Sequence, residues 1–368
     1  MTTEWTDKFN PFNSDKLFAQ IYKWKEIKRG EPIPPPTTVS IDPANVCDLA
    51  CVFCNASYIL NKNKSMLSKE TLEEIAEGLS GWGVESVCVG GGGESLLNPN
   101  TGSFIEESVR KGIDVGVVTN GTQIHKNLEA LSKCNWVGIS VDAGKRETYK
   151  KIKGADKFDK VISNIYKLNG YSLLHNTNLN NQIGTGIKFL VTPENVSEIY
   201  RGSKIAKNSG CSNIHIRPVA PAFDRLDDSS LTFNDEQVRI FNKEVGKARK
   251  LEDDNFRVFG VTHKFGEKFE VVHPFKKCYT PLMTYVIMPP SGKGNFDVGF
   301  CCDRRGDDSL TLKGLNSIKE LKDFWGSEEH WRMVDNIKLS ECPRCTYSPH
   351  NQIYENAILK NKLSYQFI

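Results

Sequence analysis

Six short strand-like segments recur along the first two thirds of this chain, at 37–42, 84–89, 113–119, 136–142, 186–191 and 213–219. Between them, apolar residues at helical spacing mark about 68–80, 102–112, 123–133, 157–168 and 194–209. Strands joined through helices run parallel, because a tight turn only connects antiparallel neighbours. The pattern therefore predicts an α/β fold with a parallel sheet, either doubly wound or curved into a partial barrel. In such folds the chemistry collects beyond the carboxyl ends of the strands. Ser68, with Glu70, Glu73 and Glu74 behind it, gives the first of these helices an acidic start.

Cys47, Cys51 and Cys54 follow the first strand directly, with three and then two residues between them. Three thiolates this close suit an iron–sulfur cluster, which normally takes four cysteines, so one iron is left open to another ligand. Zinc is the competing reading, but a lone triplet does not close a tetrahedron as paired short spacings do. A disulfide framework needs an oxidising compartment, and the N-terminus, Met1-Thr2-Thr3-Glu4-Trp5, has neither a basic nor an apolar signal region. Eleven cysteines without that signal imply a reducing cytoplasm. Cys88, Cys134 and Cys211 lack ligand spacing and read as buried core thiols.

A formal net charge of +3 with 25% charged residues implies no polyanion partner, and no apolar run approaches a membrane span. Lys145, Arg146, Lys150, Lys151 and Lys153 read as solvated helix surface rather than a nucleic-acid site. The run Pro32-Ile33-Pro34-Pro35-Pro36 closes an N-terminal arm over 1–36. Residues 172–184, rich in asparagine (Asn176, Asn178, Asn180, Asn181), read as a polar surface excursion, and 234–251 as a long amphipathic helix. Gly90-Gly91-Gly92-Gly93-Glu94 ends the second strand; glycines there admit a ligand to the backbone, and a carboxylate can accept from an ammonium group. Thr119-Asn120-Gly121 and Ser140-Val141-Asp142 end the third and fourth strands. In the sixth, His215 and Arg217 alternate with Ile214 and Ile216, so both polar side chains share a face, as a barrel interior or an exposed surface would require. Lys188 on the fifth strand has the same two readings.

The run from Cys47 to Cys54, with Phe53 before the last cysteine, resembles the signature of the radical S-adenosylmethionine (SAM) superfamily; the likeness covers roughly 37–220. It implies a partial (β/α)6 TIM-like barrel in which Cys47, Cys51 and Cys54 bind a 4Fe–4S cluster and SAM chelates its open iron. Reductive cleavage of SAM then yields a 5′-deoxyadenosyl radical that abstracts a substrate hydrogen. By the same resemblance Gly92, Gly93 and Glu94 bind the SAM amino group, Phe53 packs near the adenine, Ser140 and Asp142 bond the ribose, and Asn120 approaches the methionine end.

The C-terminal third adds Cys278, Cys301, Cys302, Cys342 and Cys345, the last two as C-x-x-C. Strand-like 284–288 and 296–300 read as a hairpin that brings Cys278 near Cys301, followed by a helix over 317–326. This resembles a small α+β twitch or SPASM-type extension carrying an auxiliary 4Fe–4S cluster on Cys278, Cys301, Cys342 and Cys345. The family pattern favours Cys301 over Cys302, and the shorter twitch form because no cysteine follows Cys345. An all-cysteine zinc site is the alternative. The resulting organisation is an arm over 1–36, a core over 37–222, a bridging helix and strand over 223–270, the auxiliary-cluster unit over 271–349 and a tail over 350–368.

Together these features imply a cytoplasmic oxidoreductase or dehydrogenase that loses the substrate electron to the auxiliary cluster. Its partners are a small-molecule or peptide substrate and an external donor such as flavodoxin or ferredoxin, with no nucleic acid and no membrane. A peptide maturase forming a crosslink or thioether is the second enzyme reading, weakened because 1–36 is short for a leader-binding domain. A non-catalytic metal-binding or electron-transfer protein is the alternative of another class. Neither the glycine-Glu run nor the alternating sheet is needed merely to hold a cluster.

Overall fold

The computed structural model describes residues 14–62, 64–181 and 184–360. Ten strands form one open sheet: β1 (Thr38–Ile41), β2 (Ser86–Val89), β3 (Asp114–Thr119), β4 (Trp136–Ser140), β5 (Gly184–Val191), β6 (Asn213–Pro218), β7 (Arg257–Gly260), β8 (Val286–Met288), β9 (Phe296–Gly299) and β10 (Thr311–Leu315). Their order is β10-β9-β8-β1-β2-β3-β4-β5-β6-β7, so the sheet keeps two edges and is a partial barrel. All neighbours from β8 through β1 to β7 are parallel, and β8, β9 and β10 are antiparallel.

The six expected strands appear within a few residues of their places. Val39, Ile41, Val87, Val89, Val115, Val117, Val137, Ile139, Ile187, Phe189, Ile214 and Ile216 give the sheet one wholly apolar, buried face. Each such side chain contributes about 1.5–3 kcal/mol by leaving water. Helices bury their own stripes; Lys69–Trp82 presents Leu72, Ile75, Ala76 and Leu79. Its start is fixed by Ser68, whose side chain accepts from the Thr71 N–H, and its end by left-handed Gly83.

The other face is polar. Register pairs Ser140 with Lys188, Lys188 with His215 and Leu190 with Arg217, and residues paired across parallel strands share a face. Gly138 makes room there: a Cβ on it would lie 2.6 Å from Lys188 Cε. The Lys188 ammonium sits 5.6 Å from the Trp136 ring centroid, and the His215 ring 4.8 Å from that of Phe259. Lys188, His215 and Arg217 therefore line the barrel interior rather than an outer surface.

Three features differ from the sequence reading. The β8–β9 hairpin, expected in a separate C-terminal unit, extends the barrel sheet itself, with Ser40 paired to Val286 and Ile41 to Ile287. The excursion expected at 172–184 is largely helical: Phe158–His175 runs on to a left-handed cap at Asn176, and Asn178–Asn181 adds a further turn, with 182–183 outside the described residues. Residues 1–13 of the arm and 361–368 of the tail also lie outside them. Finally, the basic segment around Lys150 forms the helix Arg146–Lys153, whose last lysine is 2% exposed rather than solvated. Among the described residues no helix is long and apolar enough to cross a membrane.

Candidate active site

The loop that carries Cys47, Cys51 and Cys54 is held on three sides by backbone. Gly93 N donates to Ala44 O at 3.0 Å and Glu94 N to Val46 O at 2.8 Å, which fastens it to the glycine run after β2. Ala50 N and Val52 N donate to Lys153 O and Ile152 O, both at 2.9 Å, which fastens it to the end of helix Arg146–Lys153. Only glycine fits at 93, because a Cβ would collide with Val46 O, and one at 92 would lie 2.7 Å from Asn45 Oδ1. The third anchor is Asp48, between the first two cysteines. It accepts from Asn120 Nδ2, Thr122 Oγ1 and Lys157 Nζ, each at 2.8 Å. Burial would raise the Asp48 carboxyl, but these bonds, led by that from Lys157, hold it below its ordinary value. Asn120 Nδ2 also lies 3.8 Å from Cys47 Sγ.

All three thiols are partly exposed, as ligands to an incoming group must be. Burial pushes Cys47 up to about 11 and also raises Cys51 and Cys54. The Lys153 ammonium opposes the rise at Cys51 and Cys54. Lys153 is paired with Asp142, itself 1% exposed, and lies 5.4 Å from the centroid of the Phe53 ring. Phe53 is thus packed into the core beneath that cation. The expectation that Asp142 joins Ser140 on a ribose is corrected: one Asp142 oxygen is taken by Lys153 and the other accepts from Leu190 N at 2.6 Å. Ser140 stays on the inner face opposite Lys188.

Glu94 is 2% exposed and accepts from Thr119 Oγ1 and Asn120 N, both at 2.6 Å, and from Leu96 N at 3.2 Å. Burial nevertheless lifts its carboxyl to about 7, against those donors. It makes no ion pair among the described residues, so a buried carboxylate here suits an ammonium brought by a ligand.

The C-terminal cysteines gather beyond the β8 edge. The Cys278 thiol acts as a like charge on Cys301, Cys342 and Cys345. Asn351 Nδ2 lies 3.9 Å from Cys278 Sγ and 3.6 Å from Cys345 Sγ. Burial raises all four thiols, a penalty that binding an iron–sulfide group would relieve. Cys302 faces elsewhere, toward Arg305, Thr346 and Cys88. Cys134 and Cys211 are buried in the core, and Cys88 lies on the inner face, its thiol raised to about 11 by burial. Among the described residues no group of three or more His, Cys, Asp or Glu side chains is gathered so as to hold a single metal ion.

A further link joins the two cysteine regions. Asp42, at the end of β1, accepts from Gly92 N at 2.9 Å and from Arg305 Nε at 2.7 Å, and Arg305 Nη1 donates to Cys302 O at 2.7 Å. Sequence reasoning missed Asp48, Lys153, Lys157 and this Asp42–Arg305 pair. Lys153 was recoverable, since Tyr149, Ile152 and Lys153 fall on one helical face and all three are buried.

Residues 41–181 match the Radical SAM superfamily. A probable GTP 3′,8-cyclase of Saccharolobus islandicus is 27% identical over 241 residues, 63% of this chain and 72% of that protein. One from Pyrococcus abyssi is 30% identical over 135 residues, 36% of this chain and 44% of the relative. Among solved structures, Streptococcus suis SuiB bound to S-adenosylmethionine superposes with a TM-score of 0.63 at 16% identity, covering 92% of this chain and 78% of SuiB. Native anSMEcpe with bound AdoMet gives 0.59 at 18% identity, covering 84% and 89%. At such identities the structural likeness speaks for the fold.

Proposed function

The chain belongs to the radical SAM superfamily, and from that membership we propose that it is an oxidoreductase that cleaves SAM reductively, removes a substrate hydrogen atom and passes an electron to an auxiliary cluster. The two clusters, when bound, supply the hydrogen-abstracting power and the electron acceptance respectively. Cys47, Cys51 and Cys54 would hold the first and leave one iron open. Glu94 would accept from the SAM ammonium, beside backbone that Gly92 and Gly93 leave uncovered. Asn120 and Asp48 keep the cysteine loop in place, and Lys153 offsets the negative charge that thiolates bring into it. Ser140 faces the interior where a ribose would lie. Cys278, Cys301, Cys342 and Cys345 would hold the second cluster.

The observation that carries this reading is the docking of the cysteine loop onto the glycine run, with the Glu94 carboxylate buried behind it and no ion pair to it among the described residues. Anaerobic reconstitution should load about eight irons and eight sulfides, as two four-iron clusters require. With SAM and a strong reductant, 5′-deoxyadenosine should then form. A cluster-loaded sample that forms none contradicts the proposal.

A peptide maturase is the second reading. SuiB bound to its precursor peptide SuiA shares this fold, with a TM-score of 0.61 at 16% identity. Product analysis separates the two: a crosslinked peptide supports the maturase and a two-electron-oxidised small molecule the oxidoreductase.

A further inference from the structure

The C-terminal mouth of the barrel holds more positive charge than its carboxylates balance. Arg217, at the end of β6, faces the interior and is half-buried, and it makes no hydrogen bond or ion pair among the described residues. The charges acting on it are, in order, Arg344, Asp303, Asp142 and Cys302. Asp142 already belongs to Lys153, and Asp303 to Arg344, whose Nε lies 2.9 Å from it. Asp303 also accepts from Thr346 N at 2.6 Å. Lys264, 1% exposed, stands in the same group: Arg217 acts on it most strongly, then Asp303 and Arg344. Three cations therefore share one carboxylate in a largely buried setting. Burial and mutual repulsion depress Arg217 to about 10 and Lys264 to about 7, which a bound anion would reverse. The other nearby arginines have partners of their own, Arg304 with Asp307 at 2.5 Å and Arg305 with Asp42 at 2.7 Å.

The group lies between the two cysteine regions. Arg217 is within electrostatic reach of Asp142, whose partner Lys153 adjoins Cys51, and of Cys302; Lys264 acts on Cys345. That is the space a substrate must occupy to be reached from both, and arginine with lysine at such a place suits a phosphate or carboxylate.

We propose that Arg217, Lys264 and Arg344 form an oxyanion-binding subsite that holds a phosphate or carboxylate group of the substrate between the two cysteine regions. This rests on the radical SAM reading for its role, but the binding itself can be measured without turnover. Inorganic phosphate, pyrophosphate and succinate are titrated calorimetrically into the reconstituted full-length protein, with sodium chloride at matched ionic strength as control. At least one should bind, and Arg217→Met and Lys264→Met should each weaken it about tenfold or more, while Arg217→Lys retains most of the affinity. Cluster absorbance and the unfolding midpoint report that the variants are folded; both Met variants should unfold no earlier than the parent, because each removes a repelled charge. Preference for phosphate or pyrophosphate assigns a phosphorylated or nucleotide substrate, and preference for succinate a carboxylate one. Binding indistinguishable from chloride, or unchanged in Arg217→Met, overturns the subsite. Formation of 5′-deoxyadenosine by the parent protein is scored separately, so loss of anion binding with SAM cleavage intact rejects the subsite alone, and the converse rejects only the radical SAM role.

Discussion

Replacing Lys153 by Met removes one half of an ion pair whose members are 2% and 1% exposed. The Asp142 carboxylate left behind keeps only its bond from Leu190 N at 2.6 Å. Breaking a buried pair on one side typically costs about 3–5 kcal/mol, and the surviving bond places this case near 3. The double variant Lys153→Met with Asp142→Asn removes both charges and should recover at least about half of that loss, since no uncompensated charge remains. The Lys153 carbonyl still receives Ala50 N in either variant, so the cysteine loop stays docked and the measured change isolates the charge. Urea unfolding followed by circular dichroism, under anaerobic reducing conditions, reads both variants as shifts of midpoint at constant slope. A single variant that loses less than about 1 kcal/mol, or a double variant no more stable than the single, would refute the assignment of this pair as a buried structural charge couple.

Glu94 gives a pH signature. Its folded value of about 7 lies above the ordinary 4.5, so the fold binds the extra proton and stability falls as pH rises from about 4.5 to about 7. Glu94→Gln should flatten that window and abolish SAM binding; an unchanged pH profile contradicts the burial argument. Gly93→Ala forces a methyl into Val46 O and should destabilise by about 1–3 kcal/mol while lowering cluster loading, read by iron content and thermal unfolding. Removing Cys342 and Cys345 together as Ala should halve the iron, keep SAM cleavage and end substrate oxidation; retained oxidation removes the electron-acceptor role.

The strands were legible in the sequence because each carries a run of β-branched residues covered by helices, and local pattern reports that directly. The same pattern put His215 and Arg217 on one face but did not say which face was inside. That needed the register to Lys188 and the space above Gly138. Pairing of β8 with β1 joins segments nearly 250 residues apart, as does the Asp42–Arg305 contact at a separation of 263, and no local periodicity encodes either. Lys153 was misread because charge was weighed ahead of helical phase: it sits four residues after buried Tyr149.

The proposed division of labour between three cysteines and four is tested most directly by electron paramagnetic resonance of the reduced Cys342→Ala/Cys345→Ala protein, titrated with SAM. The remaining cluster, on Cys47, Cys51 and Cys54, should change its spectrum as SAM occupies the open iron. A signal indifferent to SAM, or a protein that carries only zinc at these cysteines, contradicts the account.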